Sequence, residues 1–394
     1  MRVLIHSNSP ATAQTGYGVQ TRLFAPRIRD MGHEVAVSAF YGAEGAMQVW
    51  DGIPIYPRRN HPYGLDVVGN HAATHQADIV ISLIDAWVME PAAMSPRWVP
   101  WFPVDHDPMP EIVANKVREA WQPIVFSKHA LASCEQAGIS ALYVPHGVDT
   151  SVYHPRERGD ARDRLGIPRE RFLVACVMAN KGLPSRKAWP EQIEAFAGFA
   201  RRHPDALLFL HTVMDQSMGG VNIAECLTSF GVPPEQVLIA DQYRLVNGVP
   251  DEIIAHIYSA ADVLLNCTMG EGFGVPILEA QACGCPVITG DWTAMSELTW
   301  AGWAVPREGA TRWWTPQAAY QYLPHVHAIE AALEKSYLAR HDAELRERAS
   351  AGAQAYDADH VAEHYWRPAL EAIEARIAAE SGTAPAPPVE VMAA

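Results

Sequence analysis

Short apolar runs alternate along the chain with stretches of helical spacing, and glycine or proline marks most of the joins. The run 3–6 predicts a first strand, followed by a loop over 7–15 that leads into Gly16-Tyr17-Gly18. A helix is expected over 19–31, stopped at Gly32, before a returning strand at 34–40. Further strands are read at 78–84, 99–103, 124–127 and 141–144, with helices over 109–121 and 129–137 between them. Such alternation argues for a doubly wound parallel sheet. A second series begins with a strand at 172–178, then a helix over 190–202 and strands at 206–212, 237–240 and 262–266, the last preceded by a helix over 253–260. The polar segment 153–163, with Pro155, reads as the linker between the two series. Segment 307–325, rich in Trp, Tyr and Pro, breaks the pattern and is expected to be an insertion or lid. Helices over 328–339 and 359–377 follow, and from about 380 the composition turns to Ala, Pro, Gly and Ser, as in a disordered tail over 380–394.

The stretch 270–290 concentrates the candidate chemistry. Pro276 suits the first turn of a helix, Gly284 suits its end, and 286–289 reads as a buried strand. Ahead of the helix lies Gly270-Glu271-Gly272-Phe273-Gly274, and Glu271 and Glu279 bracket the helix start. Glycines let backbone approach a ligand closely, and free N–H groups at a helix start favour a bound phosphate. Glu279 has acceptor oxygens suited to a pair of sugar hydroxyls. On residue types alone, the same string also fits a glycine-rich connection whose glutamates face water.

At 394 residues the chain is long for one domain, which fits the two series. A net charge of −15 argues against nucleic acid or an anionic membrane as the main partner. The six cysteines are scattered without a Cys-x-x-Cys pair, so buried thiols in a reducing compartment are expected rather than disulfides or zinc. No apolar run is long enough for a signal peptide or an integral membrane segment, and a soluble cytoplasmic protein is the expectation.

Glu271 and Glu279, with seven residues between, together with Gly-Phe-Gly, Leu-Glu-Ala and the following Gly-Cys-Pro-Val, resemble the Glu-x7-Glu motif of retaining glycosyltransferase family 4. Val144-Pro145-His146-Gly147-Val148-Asp149 resembles that family's Pro-Asn-Gly-Val-Asp at the end of its first domain, with His146 in place of Asn. The resemblance implies an α/β protein of GT-B fold, two Rossmann-like domains facing a cleft. An acceptor-side domain would span 1–153 and a nucleotide-sugar donor domain 160–358, with a last helix over about 359–378 crossing back. It implies retaining transfer of a hexose from a UDP- or GDP-sugar to a hydroxyl acceptor by front-face attack, without metal or cofactor. A sugar-nucleotide epimerase of the same fold and a non-catalytic nucleotide-sugar binder stay open.

Residue by residue, the resemblance places Glu279 on the ribose, Glu271 at a sugar hydroxyl, and the backbone of Gly272, Phe273, Gly274 and Val275 against sugar and phosphate. Lys181, Arg186 and Lys187 would neutralise the diphosphate; Lys181 stands where the family carries Arg, which alone offers a bidentate fork. Gly16 and Gly18 would lie near the diphosphate, and Tyr243 and Arg244 near the base. His106 would contact the donor sugar beside the reacting carbon, with Asp105 as the rival in the same loop. Asp105-His106-Asp107 also matches the Asp-x-Asp metal pattern of the other major glycosyltransferase fold, but outside that fold's context. His71 and His75 have helical zinc spacing yet lack a third ligand, and a solvated pair is expected. Trp101, Trp313 and Trp314 are candidates for stacking on a sugar acceptor or for core packing.

Overall fold

The structure is a computed structural model and describes residues 1–382. The expected tail over 380–394 therefore lies outside the described residues, apart from the last helical residue and the turn after it. Two sheets organise the chain. The first runs in the order β3-β4-β2-β1-β5-β6-β7-β8, with β1 (Arg2–Asn8), β2 (Glu34–Tyr41), β3 (Gln48–Trp50), β4 (Ile53–Tyr56), β5 (Ile79–Leu83), β6 (Trp98–Phe102), β7 (Ile124–Val125) and β8 (Leu142–Tyr143). Its pairings are parallel except β3 with β4. The second runs β11-β10-β9-β12-β13-β14, parallel throughout, with β9 (Phe172–Val177), β10 (Ala206–His211), β11 (Val237–Ile239), β12 (Val263–Asn266), β13 (Val287–Gly290) and β14 (Gly302–Val305). Nearly every residue of β1, β2, β5, β6, β9, β12 and β13 is buried, as expected of strands covered on both faces by helices.

Several elements depart from the sequence reading. The first helix, α1, spans Gly16–Asp30, so Gly16-Tyr17-Gly18 is its opening turn and not a loop. Thr15 brings the start forward: its hydroxyl caps the helix by accepting from Gly18 N at 3.1 Å. The supposed linker is helical from Arg158, forming α5 (Arg158–Leu165) after α2 (Val68–His75), α3 (Glu111–Arg118) and α4 (Lys128–Gln136). Its charged sequence hid a buried ion pair: Arg162 Nη2 lies 2.7 Å from Asp262 Oδ2, and both side chains are almost wholly buried. The expected insertion folds as an antiparallel hairpin, β15 (Thr311–Trp314) and β16 (Tyr320–Leu323). His71 and His75, both on α2, bond to Ser38 Oγ and the Glu34 carbonyl.

The second domain continues with α6 (Trp189–Ala200), α7 (Ile223–Phe230), α8 (Gln242–Asn247), α9 (Asp251–Ala260) and α10 (Val275–Ala282). The last helix, Arg367–Glu380, lies against the first domain, where Glu380 accepts from Trp121 Nε1 at 2.7 Å and Arg376 stacks over the Trp121 ring at 4.2 Å. Trp101 is core: it packs against Phe24, Phe126 and Trp366 and donates to the Val144 carbonyl at 2.8 Å. Among the described residues no helix is long and apolar enough to cross a membrane.

Candidate functional site

In both sheets the order of strand addition reverses once, and open α/β sheets bind ligands at the carboxyl ends of strands where this happens. In the first sheet the reversal separates β1 from β5; in the second it separates β9 from β12. The segments leaving those strands carry the candidate chemistry, and they meet across the domain boundary. Several of the buried polar atoms without a partner among the described residues lie at strand ends: Asn8 Oδ1 and Ser9 Oγ at the end of β1, Asn266 at the end of β12, and His211 Nδ1 and Thr212 Oγ1 at the end of the neighbouring β10. Such atoms are rare in protein interiors and mark a polar site.

On the second-domain side, α10 begins after Gly274, whose φ of 109° is favoured only by glycine. Glu271 accepts from Lys187 Nζ at 2.5 Å and from Arg186 Nη1 at 3.2 Å, while its own N–H donates to Thr293 Oγ1 at 3.1 Å. Burial works against the Glu271 anion, but the two cations outweigh it and hold its carboxyl below the ordinary range. Burial, with Arg186 alongside, lowers Lys187 despite Glu271. For Arg186 burial is overcome by Glu271 and Asp105, and its guanidinium is held charged.

The first domain supplies the opposite wall. Asp105 Oδ2 lies 3.7 Å from Arg186 Nε, and Asp105 Oδ1 lies 2.7 Å from His106 Nδ1. Burial would raise the Asp105 carboxyl, yet the His106 hydrogen bond and Arg186 bring it down to about 2. Two members of this wall had no signal in the sequence. Tyr17, on the opening turn of α1, donates to Asp85 Oδ2 at 3.5 Å, just beyond β5. Burial, aided by the Asp105 charge, pushes the Asp85 carboxyl up to about 6, and burial also raises Tyr17. Only the neighbouring strands β1 and β5 bring these two together.

The glycines of the motif serve the domain contact. A Cβ on Gly270 would stand 2.2 Å from the Asp105 carbonyl oxygen, and one on Gly272 would stand 2.4 Å from Pro103 Cβ. Phe273 turns away from the polar cluster into an aromatic contact with Phe126 and His146, at 6.3 and 5.2 Å between ring centroids. Its sequence-assigned place at the donor sugar is thus confined to its backbone. Gly16 has open space where a Cβ would be, whereas Gly18 packs on the Ala13 carbonyl. Val275 is the first residue of α10.

Glu279 lies one turn farther along α10 and faces a different space. It lines a cavity of about 190 Å³ with Arg22, Tyr153 and Asp251, and accepts from Tyr258 OH at 3.1 Å. Burial, aided by Asp251, pushes its carboxyl up to about 8. Arg22 Nη2 crosses from α1 to Asp251 at 2.6 Å, closing the cavity between domains. Three of the sequence candidates are not gathered in: Lys181 is an exposed loop residue, and Tyr243 and Arg244 stand exposed on α8. Asp107 pairs with Arg307 at 2.7 Å, and among the described residues no three His, Cys, Asp or Glu side chains converge as a metal site.

The family described as Glycosyl transferases group 1 matches residues 223–314, which include Glu271, Glu279 and α10. This part of the second domain is similar to that family. This chain is 29% identical over 200 residues to a D-inositol 3-phosphate glycosyltransferase of Nocardia farcinica, covering 51% of this chain and 40% of that one. It is 34% identical over 149 residues to the protein of that name from Geodermatophilus obscurus, covering 37% and 32% respectively. The match thus spans less than half the length of these relatives. Among solved structures, sucrose-phosphate synthase from Thermosynechococcus elongatus superposes with a TM-score of 0.73 at 16% identity, covering 95% of this chain and 99% of that one. Anabaena HepE in complex with UDP-glucose gives 0.68 at 18%, covering 94% and 100%. At these identities the likeness is one of fold, and the two domains together have the GT-B architecture.

Proposed function

We propose that the protein is a retaining glycosyltransferase that moves a hexose from a UDP- or GDP-sugar to a hydroxyl acceptor without a metal. The observation that carries this reading is the meeting of Arg186, Lys187 and Glu271 at the start of α10 with Asp105 and His106 of the facing domain. Breaking a sugar–phosphate bond builds negative charge on the leaving diphosphate, and fixed cations beside free helix N–H groups stabilise that charge. Arg186 and Lys187 are such cations, held in place by Glu271. In the transfer the bond from the anomeric carbon to the phosphate oxygen breaks, and the acceptor oxygen bonds to that carbon on the same face. The acceptor proton passes to the departing phosphate, leaving a glycoside and a nucleoside diphosphate. Glu279 would take the ribose, His106 the donor sugar, and Tyr17 and Asp85 stand on the side from which an acceptor would approach.

The cavity at Glu279, about 190 Å³, is smaller than the roughly 300–1,000 Å³ of small-molecule sites. Donor binding in this reading requires the domains to part, and their return excludes water that would hydrolyse the sugar. The glucosyl donor of the HepE complex and the transferase names of the sequence relatives support a nucleotide-sugar substrate. The deciding assay incubates the protein with UDP- and GDP-hexoses and candidate hydroxyl acceptors and reads the product anomer by proton NMR. Retention is expected, and an inverted product would remove the front-face reading.

A further inference from the structure

The His106 ring is held from both sides, and one of the two holders comes from the other domain. Asp105 Oδ1 lies 2.7 Å from Nδ1, and Thr315 Oγ1 lies 2.9 Å from Nε2. Thr315 directly follows β15 and is buried, and its hydroxyl donates to the Ala319 carbonyl at 3.0 Å, which also accepts the Thr315 N–H at 2.9 Å. Asp105, as a carboxylate, accepts from Nδ1, and the Thr315 hydroxyl is the partner of Nε2.

The rest of the hairpin fastens the same loop. Tyr320 O accepts from Asp107 N at 3.0 Å, Gln321 Nε2 donates to Asp105 O at 3.3 Å, and Arg307, just before β15, pairs with Asp107. Tyr322 N donates to Met269 O at 2.9 Å, two residues before Glu271. One hairpin therefore grips the loop that presents His106 and the segment that presents Glu271.

We propose that Thr315 is a positioning residue for His106, carried on a hairpin that clasps the two domains and sets the ring when they close. The inference rests on the reading that His106 faces the donor sugar. Its chemistry is narrow: a hydroxyl at position 315 gives Nε2 a polar partner and fixes which way the ring points. Thr315→Val keeps the shape of the side chain and removes only that hydroxyl, and Thr315→Ser restores it.

The test uses the full chain. Long-range proton–nitrogen NMR spectra of the imidazoles are compared for the wild type, Thr315→Val and Thr315→Ser, with His106→Gln identifying the His106 signals. Transfer kinetics are measured on the same proteins. The Nε2 signal is expected to move in Thr315→Val and return in Thr315→Ser. The value of kcat is expected to fall about tenfold or more with donor KM within about threefold, as for a misoriented catalytic group. Unmoved His106 signals in Thr315→Val, or moved signals with unchanged kcat, would overturn the proposal. If Thr315→Val does not fold, Thr315→Ala is read against the same two outcomes. Absence of transfer in the wild type would sink the enzymatic reading, while the spectra alone would still accept or reject the Thr315–His106 contact.

Discussion

Lys187 Nζ lies 2.5 Å from Glu271 Oε1, and both side chains are more than four-fifths buried. This pair joins the segment after β9 to the segment after β12, the two sides of the reversal in the second sheet. Removing one partner of a buried pair leaves a desolvated charge, which costs about 3–5 kcal/mol. Because Arg186 also leans on Glu271 but is partly exposed, the lower end applies here. Glu271→Ala is predicted to lose about 3 kcal/mol in urea denaturation, and inorganic diphosphate should restore more stability to it than to the wild type. A loss within error of zero would mean that the pair is solvated.

A second prediction concerns pH. The Glu279 carboxyl stands at about 8 in the folded protein against an ordinary value of 4.5, so the folded state holds this proton more tightly than the unfolded chain. Stability from this group is therefore present at low pH and is lost as pH rises from about 4.5 to about 8. Asp85, at about 6 against 3.8, adds a loss of the same sign over a lower window. Glu279→Gln abolishes the first slope. Thermal melts should show the variant gaining on the wild type between pH 5 and pH 8, and parallel curves would contradict the assignment.

The Arg162–Asp262 pair supports a third prediction, on stability alone. Asp262 Oδ2 also accepts from Leu173 N at 2.7 Å, tying α5 to the starts of β9 and β12. Asp262→Ala should cost about 3–5 kcal/mol by leaving Arg162 buried and unpaired. The urea midpoint reads this loss, and a change below about 1 kcal/mol would count against it.

The parallel sheets and the chemistry around α10 were legible because their signals are local. Apolar runs, turn residues and the Glu271-to-Glu279 string each sit within one short window. What escaped depended on contacts distant in sequence. The segment of α5 looked like a solvated linker because Arg162 finds its counter-charge a hundred residues away. Tyr17 and Asp85 belong to no motif, and only the β1–β5 neighbourhood joins them. The hairpin at 311–323 carries an irregular mix of Trp, Arg and Tyr because it packs on two domains at once, with Tyr322 buried and Trp314 exposed. The side chain of Phe273 packs against the first domain, where the His146 that replaces an expected Asn gives it an aromatic partner.

The central claim is a nucleotide-sugar site built from the ends of β9 and β12, and nucleotide binding tests it most directly. Calorimetric titration of UDP, GDP and ADP would be made into the wild type, Lys187→Ala and Glu279→Ala. One nucleotide should bind the wild type and bind about tenfold or more weakly to Lys187→Ala, because a charge-assisted contact is worth about 1.5–3 kcal/mol, and more weakly than wild type to Glu279→Ala, which lacks the carboxyl placed on the ribose. No binding of any of the three to well-folded wild type, or equal affinity in all three proteins, would contradict the account.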